Sequence, residues 1–383
     1  MSKVKLGEVA IEHKETCKGS KDGYPIVGLE HLVPEEVTLT AWDEGSDNTF
    51  TKMFRKGNVL FGRRRAYLKK AAVAPFDGIC SGDITVIEAI SDRILPELLP
   101  FIIQNDDLFD FAVGKSAGSL SPRVKWEHLK NYEFELPDMD KQRELAELLW
   151  AMDATKKSYQ KLIAATDELV KSQFMEQFSM SQAESNGWSI VPVSSVVIKP
   201  LSGEWGQEDT AGTGVKVLRT TNFTDSGFID YTEVVRRSIE LKKVEAKALR
   251  DGDILIEKSG GSDTKPVGRV VFYQETSENF LFNNFTALLR PNTPKLNSRF
   301  LFTFLFVTYW NGGTKLYENK TTGIHNLKLA DYLNNTMIPI PPIEDQEVFA
   351  AFVEQSDKSK FELQQAIEKV DNLIKSLIQQ DNN

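Results

Sequence analysis

The sequence is poor in the residues and runs that support metal, disulfide or membrane chemistry. Its 383 residues include two cysteines and four histidines, and none of them has the spacing of metal ligands or of a disulfide framework. The longest apolar run, residues 300–310, is about half of the roughly 20 residues that a membrane span needs. The first residues have no apolar core of signal-peptide length. We therefore expect a cytoplasmic protein that does not contact a membrane.

Catalytic motifs are also missing. The sequence has no Gly-x-x-x-x-Gly-Lys-Ser/Thr loop for nucleotide phosphates and no glycine loop for a dinucleotide or S-adenosylmethionine. It has no Asn-Pro-Pro-aromatic or Asp-Pro-Pro-aromatic tetrapeptide of the kind that amino-methyltransferases use. Residues 253–258 resemble a metal-nuclease pair, but Glu257 and Lys258 are adjacent, and the matching residues 58–63 contain no acid. We expect no catalytic, cofactor-binding or metal-binding residue in this chain.

The net charge of −9 is unevenly distributed. Residues 138–180 contain 8 acidic and 6 basic residues, and residues 343–383 contain 9 acidic and 4 basic residues. The rest of the chain has 38 acidic and 36 basic residues and is near neutral. The position of charge along the chain, and not its total, indicates which partners a protein can bind. The acidity of these two segments therefore leaves open that the remainder binds DNA.

The second half of the sequence repeats the first. Residues 134–142 (FELPDMDKQ) match residues 338–346 (IPIPPIEDQ) at an offset of 204. Three further pairs of segments match at offsets that drift from 195 to 205, namely 55–60 with 250–255, 84–87 with 285–288, and 115–118 with 320–323. Such drift is typical of insertions and deletions in loops. The sequence therefore predicts two copies of one folding unit.

Each copy ends in a long segment with the periodicity of a coiled-coil helix. The predicted seam advances in steps of three and four through Leu145, Leu148, Met152, Thr155, Tyr159, Leu162, Thr166, Leu169 and Gln173, and through Phe349, Phe352, Ser356, Ser359, Leu363, Ala366, Val370, Leu373 and Leu377. Prolines just before both segments suit the start of a helix. Each helix would span roughly 55 Å. Their matched register favours antiparallel pairing with each other, and the alternative is that each packs on its own domain.

The segments before the helices read as α+β domains. Strands are predicted at residues 59–62, 84–87, 216–219 and 267–272, because short apolar runs there are punctuated by glycines. One mostly apolar helix is expected in each domain, at residues 95–105 and 298–309.

Loops rich in hydrogen-bond donors occupy matching places in the two copies. Arg and Lys suit phosphates and guanine, whereas Asn suits adenine. The candidate DNA-binding residues of the first copy are Arg63, Arg64, Arg65, Tyr67, Lys69, Lys70, Lys115, Ser119 and Arg123. Those of the second copy are Arg219, Asn222, Lys258, Lys265, Arg269, Lys320, Thr321 and Asn326, with Thr322 and His325 in the same polar loop. The alternative is that each is a solvated loop residue, and the matching positions favour binding.

Together these features resemble the specificity subunits of type I restriction–modification systems, over essentially the whole chain. The most specific part is residues 337–346, which are similar to the family's Ile-Pro-Leu-Pro-Pro-x-x-x-Gln entry to a conserved helical region. Residues 134–142 keep the glutamine but only one proline. The domains match loosely, as expected for target recognition domains that read different DNA, so no residue-by-residue code carries over.

The resemblance implies a non-catalytic α+β specificity subunit. It would consist of a target recognition domain at residues 1–137, a helical spacer at 138–180, a second target recognition domain at 181–342 and a second helical spacer at 343–383. Each domain would read one half of a split, asymmetric site on double-stranded DNA, with half-sites about one helical turn, ~34 Å, apart. The antiparallel helices would fix the gap, with the domains at opposite ends about a pseudo-two-fold axis.

The resemblance also implies partner subunits. Two methyltransferase subunits would dock on the helices, and through them as many as two restriction subunits, with one copy of this chain in each complex. S-adenosylmethionine, ATP and Mg²⁺ would belong to those partners. Two other functions stay open at this point. One is an acidic adaptor or restriction inhibitor whose domains bind protein, and the other is the specificity part of a related nuclease or methyltransferase complex.

Overall fold

The protein is described from a computed structural model, which places residues 2–45, 48–274, 278–321 and 324–380. The chain divides into two compact units: unit 1 is Met1–Lys161 with Leu363–Asn383, and unit 2 is Leu162–Glu362. Two long helices, Met139–Phe178 and Ile343–Gln380, each contribute a segment to both units. No helix among the described residues is long and apolar enough to cross a membrane.

The central element of unit 1 is a four-stranded antiparallel sheet. Its strands are, in order across the sheet, Ala10–Glu12, Ile84–Ala89, Val59–Gly62 and Ala71–Val73. A second sheet has Gly78–Cys80 at its centre, parallel to Ile26–Val27 and antiparallel to Lys52–Phe54. Ser2–Lys5 pairs with Glu133–Leu136. Since side chains alternate along a strand, Leu60 packs into the core between the two sheets, whereas Phe61 packs into the core beneath the helices.

The helices of unit 1 are short apart from the long-helix segments. They are Leu6–Val9, Leu99–Ile103, Asp106–Gly114 and Trp126–Leu129, with 3₁₀ turns at Leu29–His31 and Ala66–Leu68. The helix predicted at residues 95–105 is therefore wrong in its limits. Asn105 is extended, and its side chain accepts a hydrogen bond from the backbone N–H of Asp107 at 2.9 Å, which begins a new helix. The apolar run before Asn105 hides this start signal in the sequence.

Unit 2 contains the same arrangement of strands with additions. Its central sheet has the order Leu201–Ser202, Thr286–Leu289, Ile254–Glu257 and Val270–Phe272. The second sheet runs Gln207–Glu208, Val235–Ser238, Val215–Leu218 and Phe280–Phe282, and its last pair is parallel. Ser189–Pro192 pairs with Met337–Ile340. A three-stranded sheet joins Ser259–Gly261 to the hairpin formed by Glu318–Thr321 and Ile324–Leu327.

The helices of unit 2 include one that the sequence predicts closely. Ser298–Trp310 begins after Asn297, whose side chain accepts from the backbone N–H groups of Arg299 and Phe300, and it confirms the helix predicted at residues 298–309. The others are Met180–Asn186, Val193–Val196, Leu241–Lys247 and Leu329–Asn335, with 3₁₀ turns at Thr220–Asn222 and Lys315–Tyr317. The α+β class and the duplication are confirmed, since the central sheets of both units share one strand order.

Within each unit, segments of the two long helices pack antiparallel, as predicted. In unit 1 the ammonium of Lys156 lies 2.8 Å from the carboxylate of Asp371. In unit 2 the ammonium of Lys360 lies 2.7 Å from the carboxylate of Asp167. The two lysines are 204 residues apart, and so are the two aspartates. Each ion pair therefore joins the lysine of one sequence copy to the aspartate of the other.

The predicted seam matches the buried face of these helices only in part. Phe349 and Ser356 are buried as predicted, but the seam of Met139–Phe178 is displaced by one residue from the buried face. Leu148, Leu162, Leu169 and Leu373 were expected in the seam, yet their exposed fractions are 45%, 52%, 48% and 52%. The positions that follow seam residues are more enclosed, such as Leu149, Val170 and Ile374. The reason is that each segment packs against its own domain as well as against the other helix, so the buried stripe faces both neighbours.

A buried glutamine ties the start of each long helix to the domain of the same unit. The amide of Gln142 donates to the carbonyl of Pro137 at 2.8 Å and accepts from the N–H of Leu95 at 2.8 Å. Gln346 makes the same pair of bonds, to the carbonyl of Pro341 at 2.8 Å and from the N–H of Asn297 at 2.9 Å. These side chains explain why the proline motif of each copy is followed by a glutamine at a fixed distance.

Candidate nucleic-acid interface

Two loops of unit 1 that carry predicted DNA-binding residues lie side by side. We call residues 62–70 the basic loop and residues 115–123 the serine loop. Arg64 and Arg123 form an antiparallel bridge between them, and the N–H of Arg65 donates to the carbonyl of Pro122 at 2.8 Å. The N–H of Val124 also donates to the carbonyl of Arg63 at 3.0 Å. Residues distant in sequence are thus held as one surface.

The surroundings of these loops are strongly basic by sequence. Residues 48–76 contain eight Lys and Arg residues and no Asp or Glu, and residues 111–126 contain three and none. Acids from other segments pair with some of these cations, as Glu15 does with Arg55 and Asp106 does with Lys69. The sequence count therefore overstates the positive charge that is left to attract phosphates.

The candidate residues of unit 1 fall into two groups. In the first group, Arg63 and Arg65 have no side-chain ion pair within the described part of the chain, and Tyr67 is 54% exposed. Lys115 and Ser119 are exposed on the serine loop. The remaining candidates have partners inside unit 1, because Lys69 lies 2.6 Å from Asp106, Lys70 donates to the carbonyl of Leu29 at 2.8 Å, and Arg64 and Arg123 both contact Asp83.

Unit 2 brings its own candidate loops together in the same way. We call residues 257–269 the glycine loop and Glu318–Leu327 the hairpin. Ser259 pairs with Asn326 in antiparallel register, and the N–H of Leu327 donates to the carbonyl of Lys258 at 2.8 Å. Thr322, a predicted member of this polar loop, and Gly323 lie outside the described residues.

Most candidates of unit 2 have internal partners. Lys265 lies 2.7 Å from Asp225, Lys320 forms an ion pair with Asp263, and Lys258 donates to the hydroxyl of Ser202 at 2.8 Å. Burial, with the neighbouring charge of Lys247, lowers the pKa of Lys258. Arg269 holds the buried carboxylate of Glu257 through two nitrogens, at 3.0 and 3.1 Å. Asn326 and the backbone of Thr321 lie in the hairpin.

Matching backbone bonds show which residues correspond between the units. The N–H of Arg63 donates to the carbonyl of Asp83, as the N–H of Lys258 does to that of Phe285. The N–H of Gly62 donates to the carbonyl of Lys70, as that of Glu257 does to Arg269. The loops correspond as predicted, with two corrections to the alignment of the copies. Since Leu60 pairs with Val86 and Leu255 pairs with Leu288, residues 84–87 match 286–289 and not 285–288. The pairing of Ala117 with Arg123 matches the pairing of Asn319 with Asn326. Ala117 therefore corresponds to Asn319, three residues before the position to which the sequence alignment matches it.

A third loop, the 3₁₀ turn after a parallel strand, adjoins each surface. His31 Nδ1 accepts from the N–H of Gly28 at 2.9 Å, and Asn222 Oδ1 accepts from the N–H of Arg219 at 2.9 Å. The amide of Asn222 also donates to two backbone carbonyls, those of Asp230 and Glu233. Asn222 is buried and fully engaged in shaping the turn, so its amide is not free to read adenine in this arrangement.

Lys70 and Arg269 hold these turns in place. Lys70 donates to the carbonyl of Leu29 at 2.8 Å, and Arg269 donates to the equivalent carbonyl of Thr220 at 3.2 Å. Both cations therefore tie a loop to a turn within their unit. Arg219 is partly buried, and its guanidinium donates to the carbonyl of Glu233 at 3.0 Å.

Acidic side chains suggest metal binding at one place in unit 1. One ligand atom each of Glu30, His31 and Asp43 lies within 4.8 Å of the others. The Nδ1 of His31 accepts from Gly28, which places the proton of a neutral ring on Nε2, 3.5 Å from Asp43. In this state one ring nitrogen carries the proton and the lone pair of the other is engaged, so the ring offers no lone pair to an ion.

The carboxylates that resemble a nuclease pair are engaged by arginines. Asp253 is buried and accepts from Arg290 at 2.6 and 2.7 Å. Glu257 is 1% exposed and accepts from Arg269. Asp253 and Glu257 therefore hold the guanidinium groups of Arg290 and Arg269 in unit 2.

The sequence reading missed the acids that position the cations. Asp83 accepts from Arg123 at 2.6 and 3.2 Å and from Arg64 at 3.4 Å. The Arg123 guanidinium holds the pKa of Asp83 below its usual range, and Asp106 raises the pKa of Lys69. The only sequence signal is that Asp83 immediately precedes a predicted strand, which is a common place for loop residues with a role.

The chain matches the family model for the type I restriction modification DNA specificity domain over residues 1–165 and 213–370. It is 20% identical, over 94% of its length and 88% of the relative, to a protein of Methanocaldococcus jannaschii described as the type I restriction enzyme MjaX specificity subunit.

Two solved structures have a similar fold. One comes from work on complex assembly and conformational transition of the type I restriction–modification system, with a TM-score of 0.57, 21% identity and coverage of 99% of this chain and 97% of that chain. The other is a type I restriction–modification S subunit from M. genitalium, with a TM-score of 0.57, 11% identity and coverage of 100% and 96%.

Proposed function

The chain belongs to the type I restriction–modification DNA specificity family, and on that premise we propose that it selects a bipartite site on double-stranded DNA. One target recognition domain, in unit 1, reads one half-site, and the domain in unit 2 reads the other. The chain itself is non-catalytic. It gives sequence specificity to a site-specific adenine methyltransferase and to the corresponding endonuclease complex.

The observation that carries this proposal is the correspondence of the loop pairs. The basic loop with the serine loop in unit 1, and the glycine loop with the hairpin in unit 2, are held by matching backbone bonds. Their side chains differ almost completely. Two domains that recognise different DNA sequences need the same backbone arrangement with different side chains. The reason is that side chains read the base edges, whereas contacts to phosphates fix the position of the protein on the duplex.

The long helices are assigned to spacing and assembly. Their outer faces are acidic and expose apolar side chains such as Leu148, Leu162 and Phe361. Such a surface repels phosphates and suits protein contacts. Two methyltransferase subunits, and through them two restriction subunits, dock on these helices around one copy of this chain in the cytoplasm. S-adenosylmethionine, ATP and Mg²⁺ act in those partners.

The decisive experiment is methylome sequencing of a host that expresses this chain with its methyltransferase. We expect a new methylated adenine motif made of two short half-sites separated by an unread gap. A host without this chain, expressing the methyltransferase alone, is the control. A host with both proteins that gains no new motif would contradict the proposal.

Binding measurements separate this function from the alternatives. A specificity subunit binds duplex DNA with a salt dependence of about −0.9 in log–log slope for each phosphate contact. An acidic protein-binding adaptor shows no such binding. A further alternative is that the chain is itself a nuclease or methyltransferase with an unrecognised site. Such an enzyme modifies DNA without partners, so purified chain incubated with DNA and S-adenosylmethionine or Mg²⁺ tests this alternative directly.

A further inference from the structure

Asp83 stands at the point where the two loops of unit 1 meet. It directly precedes the strand Ile84–Ala89, whose first residue is completely buried, so its backbone is fixed by the central sheet. Its carbonyl accepts from the N–H of Arg63 at 3.0 Å. Its side chain, 21% exposed, accepts from both Arg64 and Arg123. One residue thus contacts both loops through backbone and side chain.

The two arginines are held unequally. Arg123 makes a two-point contact, with Nε at 2.6 Å and Nη2 at 3.2 Å from the two carboxylate oxygens. Arg64 reaches the same carboxylate only at 3.4 Å and donates to the hydroxyl of Ser121 at 3.1 Å. Its Nε is buried without a hydrogen-bond partner. Arg123 is therefore committed to the carboxylate, whereas Arg64 has weak contacts that a ligand can replace.

The position of this carboxylate is costly for a protein that binds phosphates. Asp83 lies against one cation of each loop, Arg64 and Arg123. Its negative charge beside them reduces the attraction for DNA of any sequence. It also screens two guanidinium groups from each other and fixes their directions. Asp83 therefore lowers the affinity for DNA of any sequence but holds the guanidinium groups of Arg64 and Arg123 in a defined arrangement.

We propose that Asp83 is a positioning residue for sequence reading, which aligns Arg64 for DNA contact by anchoring Arg123 between the basic loop and the serine loop. This inference rests on the proposed DNA-binding function and assigns different roles to three residues of one cluster. Arg64 contacts DNA, Arg123 fixes the serine loop, and Asp83 orders both.

The test compares DNA that contains the target with DNA that lacks it. The full chain first selects its preferred sequence from a library of random duplexes. Affinities are then measured for the selected duplex and for a mixed-sequence duplex without the motif, over a series of salt concentrations. The variant is Asp83→Asn. The matched control is Asp77→Asn, because Asp77 also accepts from an arginine, Arg55 at 2.8 Å, but lies outside both loops.

We expect Asp83→Asn to weaken binding of the selected duplex by about tenfold or more, the size of one lost base-pair contact. Binding of the mixed-sequence duplex stays the same or tightens several-fold, with a salt slope steeper by up to about 0.9 as Arg64 becomes free for phosphate. The ratio of the two affinities therefore falls, and it stays unchanged in Asp77→Asn.

Three results would overturn the inference. If Asp83→Asn binds both duplexes more tightly by the same factor, Asp83 only repels DNA. If it binds both more weakly by the same factor, Asp83 only supports the fold. Unchanged affinities for both would mean that Asp83 has no part in sequence recognition. If wild-type chain selects no sequence, the proposed function itself fails, and this inference fails with it.

A second variant decides the matter if Asp83→Asn does not fold. Arg123→Met removes the tight contact and keeps the carboxylate. We expect a similar loss of the affinity ratio with little change in the salt slope. A slope flatter by about 0.9 with an unchanged ratio would make Arg123 a phosphate ligand and would overturn its positioning role.

Discussion

The two lysine–aspartate pairs between the long helices are duplicates of each other, so the stability that each lysine contributes can be compared directly. We consider Lys360→Met and Lys156→Met, which remove the charge and keep most of the side-chain volume. Lys360 is 7% exposed and contacts two carboxylates, Asp167 at 2.7 Å and Asp357 at 3.0 Å. Lys156 is 10% exposed and contacts Asp371, which is 30% exposed. The duplicates thus differ in the number and hydration of their acids.

The magnitudes follow from these contacts. At 2.7 Å the attraction of one pair is about 6 kcal/mol with an effective dielectric constant of 20, and desolvation offsets much of it. Burial alone would lower the pKa of Lys360, yet Asp357 and Asp167 raise it above its usual value. Losing the lysine strands Asp167, whereas Asp357 keeps the buried guanidinium of Arg299 at 3.3 Å, so Lys360→Met should cost about 3 kcal/mol. Lys156→Met should cost about 2 kcal/mol, because Asp371 can regain water.

Hydrogen exchange followed by mass spectrometry measures these costs, since it reports the opening free energy of individual helix segments. Lys358→Met is the control, because Lys358 is exposed on the same helix, and we expect a change within about 0.5 kcal/mol. The double variant Lys360→Met, Asp167→Leu should recover most of the loss, because an apolar pair can replace a buried ion pair at little cost. Equal costs at the two lysines, or a cost below about 1 kcal/mol at Lys360, would refute the reasoning.

Three other predictions concern DNA binding, helix anchoring and assembly. Replacing residues 63–65 together with alanine should weaken binding to duplex DNA and flatten its salt slope, and unchanged affinity and slope in a fluorescence titration would reject the basic loop as an interface. Gln142→Ala and Gln346→Ala should each destabilise their unit by about 2 kcal/mol, because buried backbone groups lose their partners, and thermal unfolding checks this. Charge reversal at the exposed residues Glu354 and Glu362 should reduce methyltransferase docking in native mass spectrometry while DNA affinity stays unchanged.

The sequence predicts the features that depend on periodicity and on comparison of the two copies. The duplication, the α+β class and the long helices are of this kind, and the Ser298–Trp310 helix follows from one uninterrupted apolar run. The seam held at Phe349 and Ser356 but was displaced by one residue along Met139–Phe178, because periodicity defines a stripe, whereas burial depends on two neighbours at once. The C-terminal limit of the 95–105 helix failed because Asn105 caps a new helix, Asp106–Gly114, and so ends the earlier one.

The loops were predictable in position but not in chemistry. Cations are visible in sequence, and their acidic partners are not, because the pairs join residues far apart. Asp83 meets Arg123 across 40 residues, as does Asp225 with Lys265, and Asp263 meets Lys320 across 57 residues. Formal charge therefore overstates what these loops present to DNA. Whether each candidate contacts DNA stays a prediction. The strongest candidates are Arg63, Arg65 and Tyr67, for which the described residues provide no ion pair.

The crossed ion pairs of the helices also constrain how the gene can change. Because the lysine of each copy contacts the aspartate of the other, a charge lost by point mutation in one half of the gene must be compensated some 600 bases away. Gene conversion that copies one helix-coding segment over the other preserves both pairs, since each copy carries one lysine and one aspartate at the same offset. The helix segments are thus held to complementary sequences during evolution, while the loop segments are free to acquire new specificities.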